Sequence, residues 1–400
     1  DKPTITVDMG KMKSLIDLDK TSHIATFDAG IVGPDIEALL SSHGFRLGHY
    51  PQSYEFSSLG GWIASRSVGT QCYYYGRIED LFLGGRVITP SGTLDLPVFP
   101  ASAAGPDIRH LILGSEGRLG FITRASVIVS PLPEHESFHA IYFPHWDTAY
   151  QSLKEIVQSR VNVSMLRLLD SLETESSMKL AGKEKLMSMA DKALRFIGIG
   201  SERCMIIFGL TGGKKETQFT YRQIKSIARK YHGFLDKNFT GKLWHKSRFT
   251  TPYLRNTLWD YGYALDTLET AFTWSKVAAM LKKIESALKS RLNEENEKTL
   301  VFGHLSHMYT DGASLYITYL FRRTKDPEKT LERGRQLTST ASEIIVNNGG
   351  TISHQHGIGT DHAKYLEAEK GKCGLKLIKS AIKTLDPKQM MNPYKLIGDF

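Results

Sequence analysis

The sequence predicts an α+β chain in two parts, residues 1–134 and 135–400, and three observations lead there. Short strand and helix signals alternate as far as Val127-Ile128-Val129, and Pro131-Leu132-Pro133 then breaks the pattern as a domain boundary does. Beyond the break, apolar strand-like runs stand between long amphipathic helices in the loose order helix, strand, strand, helix, which suits an antiparallel sheet with flanking helices. Glycine-rich segments are concentrated in the first part.

In chain order, Thr4-Ile5-Thr6-Val7-Asp8 alternates like a strand, and residues 23–30 read as a strand ending in a turn. A helix is predicted over 34–40, with Pro34 at its start, acids in its first turn and Gly44 beyond its end. After Pro133, strands are predicted at 140–143, 163–169, 204–210, 301–304 and 313–321; the apolar run at 204–210 suits a buried strand. Helices are predicted at 147–160, 273–292 and 327–346, and residues 366–393 read as mostly helical and polar.

Composition removes whole classes. At 400 residues, with 41% hydrophobic and 23% charged residues, the chain is globular and holds no apolar run of the ~18 residues that a membrane-spanning helix needs. Its three cysteines, Cys72, Cys204 and Cys373, lie too far apart for a disulfide framework, which points to a reducing compartment. The formal charge of +9 is uneven: residues 1–134 hold 11 Lys and Arg against 14 Asp and Glu, and the remainder 40 against 28. Nucleic-acid binding is excluded because the cations are diffuse, apart from a run between Lys214 and Arg248 that reads first as a solvated helical face. The sequence does not begin with methionine and opens on what looks like a domain interior, so an incomplete start is expected.

The glycine-rich segments are the candidates for chemistry. Pro51 to Trp62 places small hydroxyl residues before Gly60-Gly61, Ser65-Arg66-Ser67-Val68-Gly69 repeats the texture with one cation, and Gly114, Gly117 and Gly120 lead into a strand. Such loops let backbone N–H groups approach phosphate oxygens, so a nucleotide-type ligand is expected. No Walker loop is present, and Gly357-Ile358-Gly359-Thr360-Asp361-His362 fails the Rossmann pattern at its third glycine.

Taken together, Glu55-Phe56-Ser57-Ser58-Leu59-Gly60-Gly61-Trp62, Tyr75-Gly76-Arg77-Ile78-Glu79-Asp80, Gly105-Pro106-Asp107-Ile108-Arg109-His110 and Gly114-Ser115-Glu116-Gly117-Arg118-Leu119-Gly120 resemble the FAD-linked oxidases of the vanillyl-alcohol oxidase or PCMH type. The likeness runs on through Arg167-Leu168-Leu169-Asp170, Gly312 to Tyr316, His354-Gln355-His356-Gly357 and Asn392-Pro393. Within the family it is most similar to the alkyldihydroxyacetonephosphate synthases and their bacterial relatives. The resemblance implies the C-terminal half of a PCMH-type FAD-binding domain, followed by an antiparallel-sheet cap domain whose helical tail returns toward the first domain.

It also implies residue roles. FAD, bound non-covalently, would lie against Gln52, Ser53, Tyr54, Glu55, Phe56, Ser57 and Ser58, against Ser65, Arg66, Ser67 and Val68, and against Glu116, Gly117, Arg118, Leu119, Gly120, Phe121 and Ile122. Arg167 matches a substrate-binding arginine, suited to a carboxylate or phosphate by its bidentate fork. Tyr316 matches a proton-transfer tyrosine, which as a base needs a nearby positive charge to bring its pKa down from ~10. His354 and His356 match a histidine motif important for activity. The resemblance places the family's pyrophosphate loop ahead of this sequence, so the chain alone is expected to bind FAD weakly or not at all.

Two positions depart from the synthases. Gln355 stands where they carry the middle of three histidines, and Ala101 where they carry an arginine. Histidines 304 and 307 read as polar flavin-site residues rather than metal ligands, since the metal-binding relatives' carboxylate position is Gln355 here; no metal is expected. The expected function is FAD-dependent oxidation of a small anionic hydroxy substrate by hydride transfer to flavin N5. The alternative is the ether-lipid synthase reaction, exchanging acyl for alkyl on acyl-dihydroxyacetone phosphate, with a lipid-like substrate. A third expectation is a subunit that needs the missing half. A homodimer in the cytoplasm is expected, with peripheral membrane contact or a peroxisomal location as alternatives.

Overall fold

The structure is a computed structural model that describes residues 3–180, 184–236 and 239–398. Its contacts divide the chain into two compact units, residues 1–132 with 355–400, and residues 133–354. The tail from Gln355 therefore belongs to the first unit by its contacts. The physical reason is burial: Leu366, Ile382 and Ile397 are packed into the same core as Phe27, Leu40, Trp62 and Phe82.

The first unit is built on a five-stranded antiparallel sheet in the order Leu15–Asp19, Ile24–Asp28, Phe121–Ile128, Phe82–Thr89, Gly92–Leu96. The predicted N-terminal strand is not there. Residues 4–8 are exposed and irregular, because alternation without a partner strand buries nothing. The helix Gly33–Ser41 has Pro34 near its start, and buries Ile36 and Leu40. The tail segment Leu366–Leu385 is helical on both sides of a break at Gly371, whose positive φ of 68° suits glycine. Ser91 secures its end, donating from N to the Leu385 carbonyl at 3.1 Å and from Oγ to that of Thr384 at 2.8 Å.

The second unit carries a seven-stranded antiparallel sheet in the order Phe234–Leu235, His135–Phe143, Cys204–Gly212, Met165–Leu169, Leu300–Met308, Gly312–Arg322, Tyr263–Thr273. Cys204–Gly212 is buried at every position, as its apolar run predicts. Direct cross-strand partners share a face, and so do residues two apart. One face presents Gly303, Tyr319 and Phe208. There the helix Trp274–Ser290 brings Leu281 against Gly303, the helix Pro327–Asn347 bonds Tyr319 through Thr338 at 2.8 Å, and Tyr221 of Lys214–Lys230 packs on Phe208. On the other face Phe138, Ala140, Met165, Leu169, Met205 and Ile207 form an apolar half, covered by Met178, Leu194, Ile199 and Trp244. The remainder of that face is polar. Among the described residues, no helix is long and apolar enough to cross a membrane.

If the tail is core rather than appendage, Ile382→Ala should lower unfolding free energy by about 2–5 kcal/mol, the cost of a large-to-small change in a packed site. Leu377→Ala, on the same helix but 69% exposed, should change it by less than about 0.5 kcal/mol. Chemical denaturation measures both, and equal effects would contradict this packing.

Candidate active site

The polar half of the second sheet gathers residues from four strands. Glu269 is the direct partner of Tyr316, which is also the partner of His304, and His304 is the partner of Leu169 on the strand carrying Arg167. Thr267 and Thr318 flank this row on the same face. In a sheet otherwise filled by apolar side chains, such a row must satisfy its own hydrogen bonds.

It does so around Glu173. Asp170 ends the Met165–Leu169 strand and accepts from the Glu173 backbone N at 2.6 Å and from Gly303 N at 2.9 Å, fixing the start of the helix Ser171–Leu180. Burial pushes the Asp170 carboxyl up to about 6. Glu173 then reaches back: Arg167 donates to its Oε1 at 2.7 Å, and His304 Nδ1 meets its Oε2 at 2.8 Å. Burial alone would raise the Glu173 carboxyl, but the charge of Arg167 and the hydrogen bonds from His304 and Arg167 outweigh that and bring it down to about 2. An ionised carboxylate only accepts, so we assign the Nδ1 proton of His304 to this bond. Burial first, and Arg167 second, hold His304 below the ordinary imidazole range, so it is neutral. Its Nε2 is buried and makes no hydrogen bond.

Tyr316 stacks on the His304 ring, with centroids 4.8 Å apart and planes within 9°, and donates from Oη to Thr267 Oγ1 at 3.3 Å. Burial pushes its pKa up to about 12, and the Glu269 and Glu173 carboxylates add to the rise, while Arg167 partly opposes it. The expected base is therefore a protonated phenol at neutral pH. Arg167 uses Nη2 for these contacts, 2.7 Å from Glu173 and 3.1 Å from His304 Nδ1, and its buried Nε makes no hydrogen bond.

A second cluster adjoins the row. Between Leu305 and Met308 the register shifts by one residue, and this bulge re-aims His307 toward Glu269. His307 Nε2 lies 3.8 Å and His354 Nδ1 3.2 Å from Glu269 Oε1. The rings of His307 and His354 stack at 5.1 Å, and Tyr309 Oη meets His354 Nε2 at 2.6 Å. His356 belongs to the first unit and is exposed.

The first unit shows what its glycine segments do. Ser58 caps the helix Leu59–Ser65, accepting from Gly61 N at 3.3 Å, and Ser57 accepts from the Trp62 indole at 2.6 Å. Leu59 and Gly60 donate their N–H groups to the Ile31 and Ala29 carbonyls. Gln52 to Phe56 form the turn before that cap, and Phe56 is 76% exposed. Arg66 bonds the Leu113 carbonyl and pairs with Glu79, Ser67 Oγ meets His49, and Val68 N donates to Gln355 Oε1 at 3.2 Å. Glu116 accepts from the Ile358 and Gly359 N–H groups, and buried Arg118 donates to the Met391 carbonyl at 2.8 Å. Gly120 must be glycine for packing, because a Cβ would stand 2.5 Å from the Ile88 carbonyl oxygen. Leu119 and Ile122 are in the core and Phe121 begins a strand. These segments fit FAD as a wall of glycine turns and hydroxyls; the cations Arg66 and Arg118 are committed within the protein and leave the ligand's phosphate charge to other groups.

Sequence reasoning missed Glu173 and Glu269. Asp170 followed three residues later by Glu173 is the spacing of a capped helix start and could have flagged the first. Glu269 lies on Tyr263–Thr273, a strand the pattern did not predict because acids interrupt its alternation.

Comparison with known proteins agrees with this architecture. The domain described as "FAD linked oxidases, C-terminal domain" matches residues 132–396, and an FAD binding domain matches residues 1–95. The chain belongs to the FAD-linked oxidases, whose cofactor is FAD. Among individual proteins it is 33% identical to the alkyldihydroxyacetonephosphate synthase of Dictyostelium discoideum over 98% of this chain and 65% of that protein. A solved alkyldihydroxyacetonephosphate synthase structure superposes with a TM-score of 0.81 at 31% identity, covering 97% of this chain and 68% of the other. The p-cresol methylhydroxylase structure shares the fold at a TM-score of 0.70 and 14% identity, over 98% of this chain and 80% of that one. The chain thus spans about two-thirds of the length of the synthase relative.

Because Glu173 is charged only through its partners, Arg167→Ala should destabilise the protein by about 3–5 kcal/mol, leaving a buried carboxylate unpaired. The sign with pH follows from the lowered pKa of Glu173, about 2 against an ordinary value near ~4.3. Its stabilising contribution is full above about pH 5 and is lost as pH falls toward 2. The stability gap between wild type and Glu173→Gln should therefore narrow over that range in urea titrations; a constant gap would contradict the assignment.

Proposed function

We propose that this chain carries the substrate-handling part of an FAD-dependent enzyme of the alkyldihydroxyacetonephosphate synthase kind, exchanging the acyl group of an acyl-dihydroxyacetone phosphate for a fatty alcohol. The likeness to a synthase, both in sequence and in structure, supports the substrate class. Tyr316 is the observation that carries the reading: a buried phenol, protonated at neutral pH, stacked on a neutral imidazole. FAD, when bound along Gln52–Ser58, Ser65–Val68 and Glu116–Ile122 without a covalent link, supplies the redox-capable ring.

The exchange has no net oxidation: an alcohol loses its proton, and a carboxylate leaves. Tyr316 is suited to donate a hydrogen bond to an oxygen that gains negative charge as the carboxylate departs. His304 is suited to hold a proton at Nε2, because Glu173 orients the ring through Nδ1 and stabilises the imidazolium that forms. Arg167 acts through Glu173, keeping that carboxylate ionised.

A second reading, oxidation of a hydroxy acid, is favoured by Gln355, whose Oε1 accepts from Val68 N and which cannot take the proton of the synthases' middle histidine. With FAD-loaded protein, the visible flavin spectrum separates the two. Turnover of acyl-dihydroxyacetone phosphate and fatty alcohol with the flavin staying oxidised at steady state supports the exchange; stoichiometric bleaching by a hydroxy acid, with no ether product, overturns it.

Tyr316→Phe keeps the ring stack and removes only the hydroxyl. Turnover should fall by ~10²-fold or more with unchanged thermal stability and flavin content. Near wild-type turnover across the pH range would make Tyr316 a packing residue.

A further inference from the structure

We propose that Glu269, His307 and His354 form a binding site for a divalent first-row transition-metal cation of the zinc class. All three belong to the second unit and are buried, with 2%, 5% and 8% exposure. One oxygen and two imidazole nitrogens converge there, and the three donor atoms lie within 4.8 Å of one another. Two of the separations are already 3.2 and 3.8 Å, to Glu269 Oε1 from His354 and His307 respectively. Donors about 2.0–2.1 Å from a tetrahedral zinc stand roughly 3.3 Å apart, so only small side-chain adjustment closes the site.

His354 Nδ1 is buried and, despite its 3.2 Å approach to the carboxylate, makes no hydrogen bond. Its other nitrogen is fixed by Tyr309 Oη at 2.6 Å, the outer-sphere contact that sets the orientation of a ligating imidazole. Both histidines are also anchored through the backbone: His354 N donates to the Glu269 carbonyl at 3.1 Å, and His307 N to Ser314 Oγ at 3.1 Å. The bulge that places His307 breaks the ladder of a central strand, and ligation gives that break a purpose.

The donor chemistry selects the ion. Two imidazoles and one carboxylate suit zinc, cobalt, iron or manganese; magnesium and calcium favour all-oxygen sets, and copper(I) favours thiolates. Three protein ligands leave one position open to water or a substrate oxygen. Glu269 is the cross-strand partner of Tyr316, so the cation would adjoin the polar row.

The test uses chelator-treated wild-type protein titrated with cobalt(II), read by visible absorption and calorimetry. One equivalent should bind with the intense visible bands of a low-symmetry site and be displaced by zinc(II). Glu269→Gln, close in shape to the native residue, should abolish the bands, and Tyr309→Phe should weaken binding about 10-fold. Absence of bands and of binding heat in wild type would overturn the proposal, and so would wild-type binding by Glu269→Gln, which would place the ion on other histidines. Since the wild-type titration alone can refute the site, an unfolded variant does not protect it.

Discussion

Arg167 and Glu173 meet at 2.7 Å with both side chains largely withdrawn from solvent, and the polar half of the second sheet is arranged by that contact. A lone buried carboxylate would neutralise itself by taking a proton. Paired with Arg167 it stays ionised, and being ionised it requires a proton on His304 Nδ1. That fixes the imidazole tautomer and leaves Nε2 as the lone-pair nitrogen, beneath the ring of Tyr316. Tyr316, lifted toward pKa 12 by burial with carboxylates nearby, keeps its own proton. One ion pair thus sets the protonation of two neighbours, so that donor and acceptor stand side by side.

The first unit follows a related logic with backbone in place of side chains. Glu116, Arg118 and Gln355 sit in motifs that point to a cofactor, and each is engaged with chain from the other end of the same unit or with a neighbouring motif. Glu116 and Arg118 tie the glycine turns to the tail, whose apolar residues complete the core. The motif residues fix the shape of the loops. Gly120, in one of these motifs, is obligatory for packing alone, because a Cβ there would meet the Ile88 carbonyl oxygen.

Much of the architecture was legible because burial and periodicity coincide. Cys204–Gly212 is apolar throughout and is buried throughout; the helices Trp274–Ser290 and Pro327–Asn347 begin and end within about two residues of their predicted spans. Thr4 to Asp8 misled because alternation is necessary for a half-buried strand but does not supply the partner. The strand Tyr263–Thr273 was hidden for the opposite reason: Glu269, the residue of greatest chemical interest on it, violates the apolar pattern at a buried position. The sequence marked Tyr316, Arg167, His354 and the histidines 304 and 307, but not the carboxylates that join them. Glu173 and Glu269 become visible only when strand register and a helix cap bring them to those side chains.

The state of His304 tests this account most directly. Nuclear magnetic resonance of protein with labelled histidine side chains reports the tautomer and pKa of each ring. The account predicts that neutral His304 carries its proton on Nδ1 and that the ring titrates below the ordinary imidazole value of 6.5, because burial and Arg167 disfavour its cation. A His304 that titrates at or above that value, or whose neutral form carries the proton on Nε2, would contradict it.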